Sequence, residues 1–133
     1  MAAANPDDLK RVPLFAELDN RQLKKLASRF RERTVGPGTK VTTEGEMSGV
    51  GFFVVADGEV SVSKGGEEVA TLGPGDHFGE LALISERERS ATVTAKTEVR
   101  ALEIPFWDFR DFAHANPDVT WKLLQHVVEM LGS

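Results

Sequence analysis

Residues 78–93 contain the residue types and spacing needed to bind a small charged ligand. Apolar residues at 81–84 predict one short helical turn, and Gly79 before them permits a tight entry and a close backbone approach. A helix N-terminus that opens on glycine presents free N–H groups to an anion. Arg89 follows ten residues later, at the start of the next predicted strand. The stretch therefore predicts an anion held between backbone donors and a guanidinium group.

Glu80, beside these donors, limits which anions the predicted site can bind. Its carboxylate would repel a free dianion such as inorganic phosphate, but it can accept a hydrogen bond from a hydroxyl group on the same ligand. A phosphate with a neighbouring hydroxyl describes a nucleotide.

The same stretch resembles the phosphate-binding cassette of cyclic nucleotide-binding domains, such as those of the catabolite activator protein and the protein kinase A regulatory subunit. The match reads Phe-Gly-Glu-Leu-Ala-Leu-Ile, then a five-residue spacer through Arg89, then Ser-Ala-Thr-Val. Gly45, Gly58 and Gly75 stand where this family places its turn glycines. The resemblance covers roughly residues 14–131, and it implies a non-catalytic sensor domain with cyclic AMP or cyclic GMP as ligand and no cofactor.

The resemblance implies how the cyclic phosphate is held. Arg89 would pair with the phosphate charge, and the backbone N–H groups of Ala82, Ser90 and Ala91 would add hydrogen bonds. Ser90 occupies a position where members that bind cyclic GMP often carry threonine, whereas alanine or serine goes more often with cyclic AMP. The resemblance therefore favours cyclic AMP.

The resemblance also implies contacts to the sugar and the base. Glu80 would accept from the ribose 2′-hydroxyl, with the backbone at Gly79 and Leu81 close to the sugar. Val62 and Ala91 would line the pocket near the sugar and base.

Two departures from the family pattern support a different hypothesis. The position where relatives often carry an acidic residue that braces the arginine is Gly49 here, although Glu46 lies in the same loop. The last predicted helix stops at Leu131, near or before the point where relatives supply a residue that covers the base. The alternative is an interaction or structural domain with a degenerate pocket that binds no cyclic nucleotide.

A cupin-like metalloenzyme is a remote alternative. Residues 75–80 place an aspartate, a histidine and a glutamate in a β region, but a cupin needs further histidines at the same site. His77 is the only histidine in that region, because His114 and His126 fall in the C-terminal helices. We therefore predict no metal site and no catalytic residues.

The elements that must position these residues form three regions of one predicted domain, 1–133. A capped helix is predicted at 21–30, preceded by a short turn at 7–10. Glycine-punctuated strands follow at about 31–105, with hairpins at 56–59 and 64–67, and helices at about 106–131 end the chain. This order predicts an eight-stranded antiparallel β-roll, or double-stranded jelly roll, with an N-terminal helix and two C-terminal helices.

Two features of the C-terminal helices are predicted in more detail. Pro105 suits the first helical position, and Asn116-Pro117 should separate the two helices. An apolar stripe is predicted down the last helix, whereas two further apolar residues outside it are assigned to ordinary packing, with a lid or dimer contact as the alternative. The stripe is Val119, Leu123, Leu124, Val127 and Leu131, and the two others are Trp121 and Val128.

Composition limits the partners. The 133 residues include 16 basic and 21 acidic ones, for a net charge of −5, so we expect no nucleic-acid binding by this chain alone. Cysteine is absent, and no apolar run is long enough to span a bilayer. We expect a cytoplasmic domain without a membrane partner. Its protein partner would be an effector domain or a second copy of the chain, bound through the C-terminal helix.

Overall fold

The computed structural model describes residues 4–43, 51–78 and 91–132. Within these ranges the helices are α1 (Pro6–Lys10), α2 (Asn20–Ala27), α3 (Phe106–Ala115) and α4 (Pro117–Gly132), with a 3₁₀ turn at Pro13–Phe15. The strands are β1 (Arg31–Val35), β2 (Lys40–Thr42), β3 (Phe52–Asp57), β4 (Val60–Lys64), β5 (Glu67–Leu72), β6 (His77–Phe78), β7 (Thr92–Ala95) and β8 (Val99–Ile104). None of the helices in these ranges is both long and apolar enough to cross a membrane.

The strands form two four-stranded antiparallel sheets. The order in the first sheet is β1-β8-β3-β6, and the order in the second is β2-β7-β4-β5. Helices precede the strands and follow them. The predicted fold, an eight-stranded antiparallel roll with N-terminal and C-terminal helices, is therefore confirmed.

Strand β3 separates two apolar cores. Phe52, Val54 and Ala56 belong to a core shared with the helices, whereas Phe53 and Val55 belong to the core between the sheets. Side chains alternate across a strand, so a strand that is covered on both faces must be apolar at every position. Burial on both faces therefore explains the uninterrupted apolar run at 52–55 in the sequence.

One predicted hairpin is correct and the other is wrong. Gly65 and Gly66, with φ angles of 60° and 85°, form the tight turn that pairs β4 with β5. The segment 56–59 instead carries the chain from the first sheet to the second, because β3 and β4 do not pair with each other. Gly58 is required there: its φ is 91°, and a Cβ atom would overlap the carbonyl oxygen of Glu98.

Helix α2 is shorter than predicted. Asp19 caps it, and the helix ends at Ala27 rather than at residue 30. The amides of Arg29 and Phe30 bond three residues back, which tightens the chain and turns the fully buried Phe30 into the core. Burial of this aromatic ring accounts for the early end of the helix.

A cluster around Arg100 ties α1 to the roll. This side chain on β8 reaches Asp8 of α1 at 3.0 Å, Glu32 of β1 at 2.7 Å and Asp57 of β3 at 2.7 Å. The hydrogen bonds that Arg100 donates to these three carboxylates raise its pKa above the ordinary value, and the bond to Asp8 has the largest effect. The guanidinium therefore fixes the N-terminal helix against the first sheet.

The C-terminal helices differ from prediction in two details. Pro105 caps α3 from outside the helix, which begins at Phe106, and Asn116 separates α3 from α4 as predicted. Val119 and Leu123 are buried, but Leu124 is 52% exposed, so its place in the packed stripe was wrong. Successive residues point about 100° apart around a helix, and α4 is oriented so that Leu123 faces the roll while Leu124 turns toward the outside.

Assigning Trp121 and Val128 to ordinary packing was also wrong. They are 62% and 59% exposed and share one outward side of α4 with Leu124. Leu131, the last member of the predicted stripe, has a side chain outside the described part of the chain.

Candidate functional site

Most of the predicted binding residues cannot be placed. Gly79, Glu80, Leu81, Ala82, Arg89 and Ser90 lie outside the described residues, and so do Gly45, Glu46 and Gly49 in the preceding loop. The structure does describe Val62, Ala91 and the residues where the segments 44–50 and 79–90 join the roll. These residues are the described part of the candidate site.

The segments 44–50 and 79–90 join the second sheet at neighbouring points. Thr42, the last residue of β2, donates a hydrogen bond from its Oγ1 to the carbonyl oxygen of Ala91 at 3.2 Å. Thr42 lies just before the first segment, and Ala91 directly follows the second. One segment therefore leaves the second sheet beside the point where the other returns to it.

The same two segments join the first sheet beside an aromatic pair. Phe78, the last residue of β6, stacks on Phe53 of β3 with ring centroids 4.9 Å apart and planes inclined by 8°. Both rings are buried, and Gly51 lies two residues before Phe53. The loop and the predicted cassette thus connect the same two places on the roll, which brings their ends together.

Val62 and Ala91 lie close to the same strand of the second sheet. Val62 of β4 pairs with Val93 of β7, and Ala91 directly precedes β7, which begins at Thr92. Val93 is buried in the core between the sheets, and the half-buried Val62 packs against that core with Leu72. Val62 is thus part of an inward-facing apolar wall, and Ala91 lies where the predicted cassette joins the strand that continues this wall. Their contact with a ligand stays a prediction.

Gly51, which directly follows the segment 44–50, lies tightly against the junction between β8 and α3. A Cβ atom on Gly51 would overlap the carbonyl oxygen of Ile104 and lie 2.8 Å from the carbonyl carbon of Pro105. Only glycine permits this approach of two backbones. The anchor of the loop therefore touches the residues where the strand turns into the C-terminal helices.

A polar contact that the sequence reasoning missed joins α2 to α4. Gln22, 8% exposed, donates from Nε2 to Asp118 at 2.8 Å, and its Oε1 accepts from the Nζ of Lys122 at 2.8 Å and from the amide of Asp19 at 3.0 Å. The bond from Gln22 lowers the pKa of the Asp118 carboxyl group below its ordinary value. The pattern Asp-x-x-Gln was a signal for the capping box, but nothing local indicated the partners on α4.

The described residues hold no group of three or more histidine, cysteine, aspartate or glutamate side chains that could bind a metal ion. His77 lies in β6 with its ring 5.2 Å from the ring of Phe52, whereas His114 and His126 lie in α3 and α4. The cupin-like alternative finds no support in this part of the chain.

The fold defines a class: an antiparallel β-roll with flanking helices, in which the segments 44–50 and 79–90 each connect one sheet to the other. Residues 32–116 match the family model described as "Cyclic nucleotide-binding domain". The chain belongs to this family. Among its curated relatives is the cAMP-dependent protein kinase regulatory subunit of Yarrowia lipolytica, 48% identical over 94 residues, which are 69% of this chain. The chain spans only 25% of that relative's length.

Solved structures give the same family. The N-terminal domain of a transcriptional regulator from Streptomyces coelicolor A3(2) superposes with a TM-score of 0.86 and 34% identity, covering 94% of this chain and 92% of that one. The Thermus thermophilus catabolite activator protein superposes with a TM-score of 0.77 and 30% identity, covering 90% of this chain and 58% of that one. The resemblance stated from residues 78–93 is confirmed.

Proposed function

We propose that this chain is a regulatory domain that binds cyclic AMP in preference to cyclic GMP and has no catalysis of its own. The observation that carries this proposal is the position of the cassette motif. It lies between Phe78 and Ala91, and Ala91 directly precedes β7, the strand whose Val93 pairs with Val62. The phosphate would meet Arg89 and the backbone N–H groups of the segment, while the sugar and base would rest against that wall.

The proposed readout is a change in the position of α3 and α4. Gly51 ends one of the two loops beside the site and contacts the backbone at Ile104 and Pro105, so a shift of the loop reaches the start of α3 directly. A ligand can move this equilibrium only through its different affinities for the two arrangements. The partner that receives the signal is an effector domain or a second copy that contacts α4.

The first test of the proposal is the order of nucleotide preference. We expect isothermal titration calorimetry to give the tightest binding for cyclic AMP, weaker binding for cyclic GMP and much weaker binding for linear AMP. Serine at position 90 favours cyclic AMP over cyclic GMP, and one arginine beside one carboxylate suits a monoanionic diester better than the dianionic phosphate of linear AMP. Equal affinities for linear and cyclic AMP would overturn the proposed geometry, and the absence of heat with either cyclic nucleotide would favour the degenerate-pocket alternative.

The second test concerns the contact between α2 and α4. Replacing Gln22 with alanine removes three hydrogen bonds, two of them to the charged groups of Asp118 and Lys122. We expect the variant to lose about 1 kcal/mol of stability, the size of a typical net hydrogen bond. Relative to the unmodified chain, amide exchange should speed up more in α4 than in the strands.

A matched control for this test is Gln125→Ala, which removes an exposed glutamine from α4 and should leave exchange unchanged. The pH dependence gives a further check. The pKa of Asp118 is lowered in the folded state, which means that its charged carboxylate stabilises the fold. This stabilisation is complete above the ordinary carboxyl pKa and is lost as the pH falls through the lowered pKa. Similar exchange in the two variants would show that Gln22 does not hold α4.

A further inference from the structure

Charge is distributed unevenly along this acidic chain. Between residues 21 and 33 there are six basic residues and one acidic residue, whereas the remainder has ten basic and twenty acidic ones. The basic stretch covers most of α2 and the start of β1. The basic residues of this net-acidic chain are therefore concentrated in one stretch beside its C-terminal helices, where Arg29 pairs with Asp108 of α3.

A cleft of about 600 Å³ opens where this basic stretch meets α3. Its lining is Arg29, Arg110, Asp111, His114 and Ala115. Apart from Arg29, all of these come from the last two turns of α3. Two guanidinium groups, one from the residues after α2 and one from α3, thus face one concave surface, and neither Val62 nor Ala91 is part of its lining.

Contacts within the chain hold both guanidinium groups in place. Arg29 donates from Nη1 to Asp108 at 2.6 Å and lies 6.0 Å from the ring centroid of Phe112. Arg110 lies 5.6 Å from the ring centroid of Phe106 and forms no ion pair with any described residue. Ring contacts orient a guanidinium without using its hydrogen bonds, so Arg110 keeps its donors available for a partner.

Trp107 extends this surface toward the start of α3. It is 52% exposed, and it lies three, four and seven residues before Arg110, Asp111 and His114, so all four share one side of the helix. Tryptophan and arginine are the residues most enriched among those that dominate the energy of protein interfaces. The side of α3 with both residue types therefore suits a protein partner.

We propose that the cleft between α2 and α3 docks a short acidic peptide segment of a partner protein. Carboxylates would pair with Arg110 and Arg29, and an apolar side chain would cover Trp107. α3 has ten residues and is about 15 Å long, which an extended segment of about five residues spans. Asp111 within the lining and the acidity of the rest of the chain disfavour a polyphosphate or an anionic lipid surface, where negative charge is continuous.

The test uses the whole chain without nucleotide and the fluorescein-labelled peptide Glu-Glu-Leu-Glu-Glu-Leu, with a peptide carrying glutamine for every glutamate as control. Fluorescence anisotropy should show binding of the acidic peptide only. Arg110→Ala and Trp107→Ala should each weaken binding at least about fivefold, as expected for central interface residues. Asp111→Asn should strengthen it, because it removes the one repulsive charge of the lining.

Lys10→Ala is the matched control, since Lys10 is an exposed basic residue on α1 with no part in the cleft. Equal binding of the two peptides, or equal losses in Arg110→Ala and Lys10→Ala, would overturn the proposal. So would Arg110-dependent binding to vesicles of phosphatidylcholine with one fifth phosphatidylserine in the absence of peptide binding. Failure of this docking would leave the cyclic nucleotide titrations unaffected, so the two proposals fail separately.

Discussion

Replacing Arg89 with alanine is expected to weaken cyclic AMP binding by roughly 30- to 4,000-fold, the equivalent of about 2–5 kcal/mol. This is the cost of removing one member of a hydrogen-bonded charge pair that is shielded from water. The cyclic phosphate would be such a member, because the cassette leads into β7, whose Val93 pairs with Val62 and is buried in the core between the sheets. Arg89 is outside the described residues, so this expectation rests on the family motif and the anchors at Phe78 and Ala91.

Two further variants make the Arg89 experiment specific. Arg89→Lys should recover only part of the affinity, because an ammonium group cannot present the planar two-pronged donor set of a guanidinium. Arg87→Ala, two residues earlier, removes the same side chain from the charged run Glu86-Arg87-Glu88, which we expect to form an exposed loop tip, and it should change little. Cyclic AMP titrations should be paired with thermal melts to verify folding. If Arg87→Ala were the more damaging variant, the motif alignment would be wrong.

The parts of this molecule that could be predicted are those that depend on neighbours in the sequence. The apolar run at 52–55 indicated a strand covered on both faces, and Gly65-Gly66 indicated a hairpin, because each signal acts within a few residues. The cassette is also contiguous, so its residues could be proposed from one stretch. The cap of α2 could be predicted for the same reason, because Asp19 directly precedes that helix in the sequence.

The parts that could not be predicted depend on which strands and helices meet. Asp57-Gly58 suits a hairpin or a crossing between sheets equally well, and only the pairing of β3 with β8 rather than β4 decides between them. Gln22 contacts a residue 96 positions away, and no local pattern encodes that partner. Leu124 differs from Leu123 by one position, but packing against the roll buries only the latter. In each case tertiary contacts override the local signal.

Gly51→Ala is expected to be the most damaging single methyl addition among the glycines that the structure describes at negative φ. The added Cβ would overlap the carbonyl oxygen of Ile104, and backbone atoms on both sides leave it no flexible neighbour to displace. Overpacking in a tightly packed interior costs about 1–3 kcal/mol and more where backbone must move. Chemical denaturation should show this loss of stability.

Because the displaced backbone is the junction between β8 and α3, Gly51→Ala should also disturb the proposed coupling. We expect weaker cyclic AMP binding, together with faster amide exchange at the start of α3, since Gly51 ends the loop that lies beside the predicted cassette. Gly36→Ala is the matched control: no atom lies within 4 Å of its added Cβ, so its stability and affinity should stay close to those of the unmodified chain. Equal effects of the two alanines would show that the close approach at Ile104 constrains neither folding nor binding.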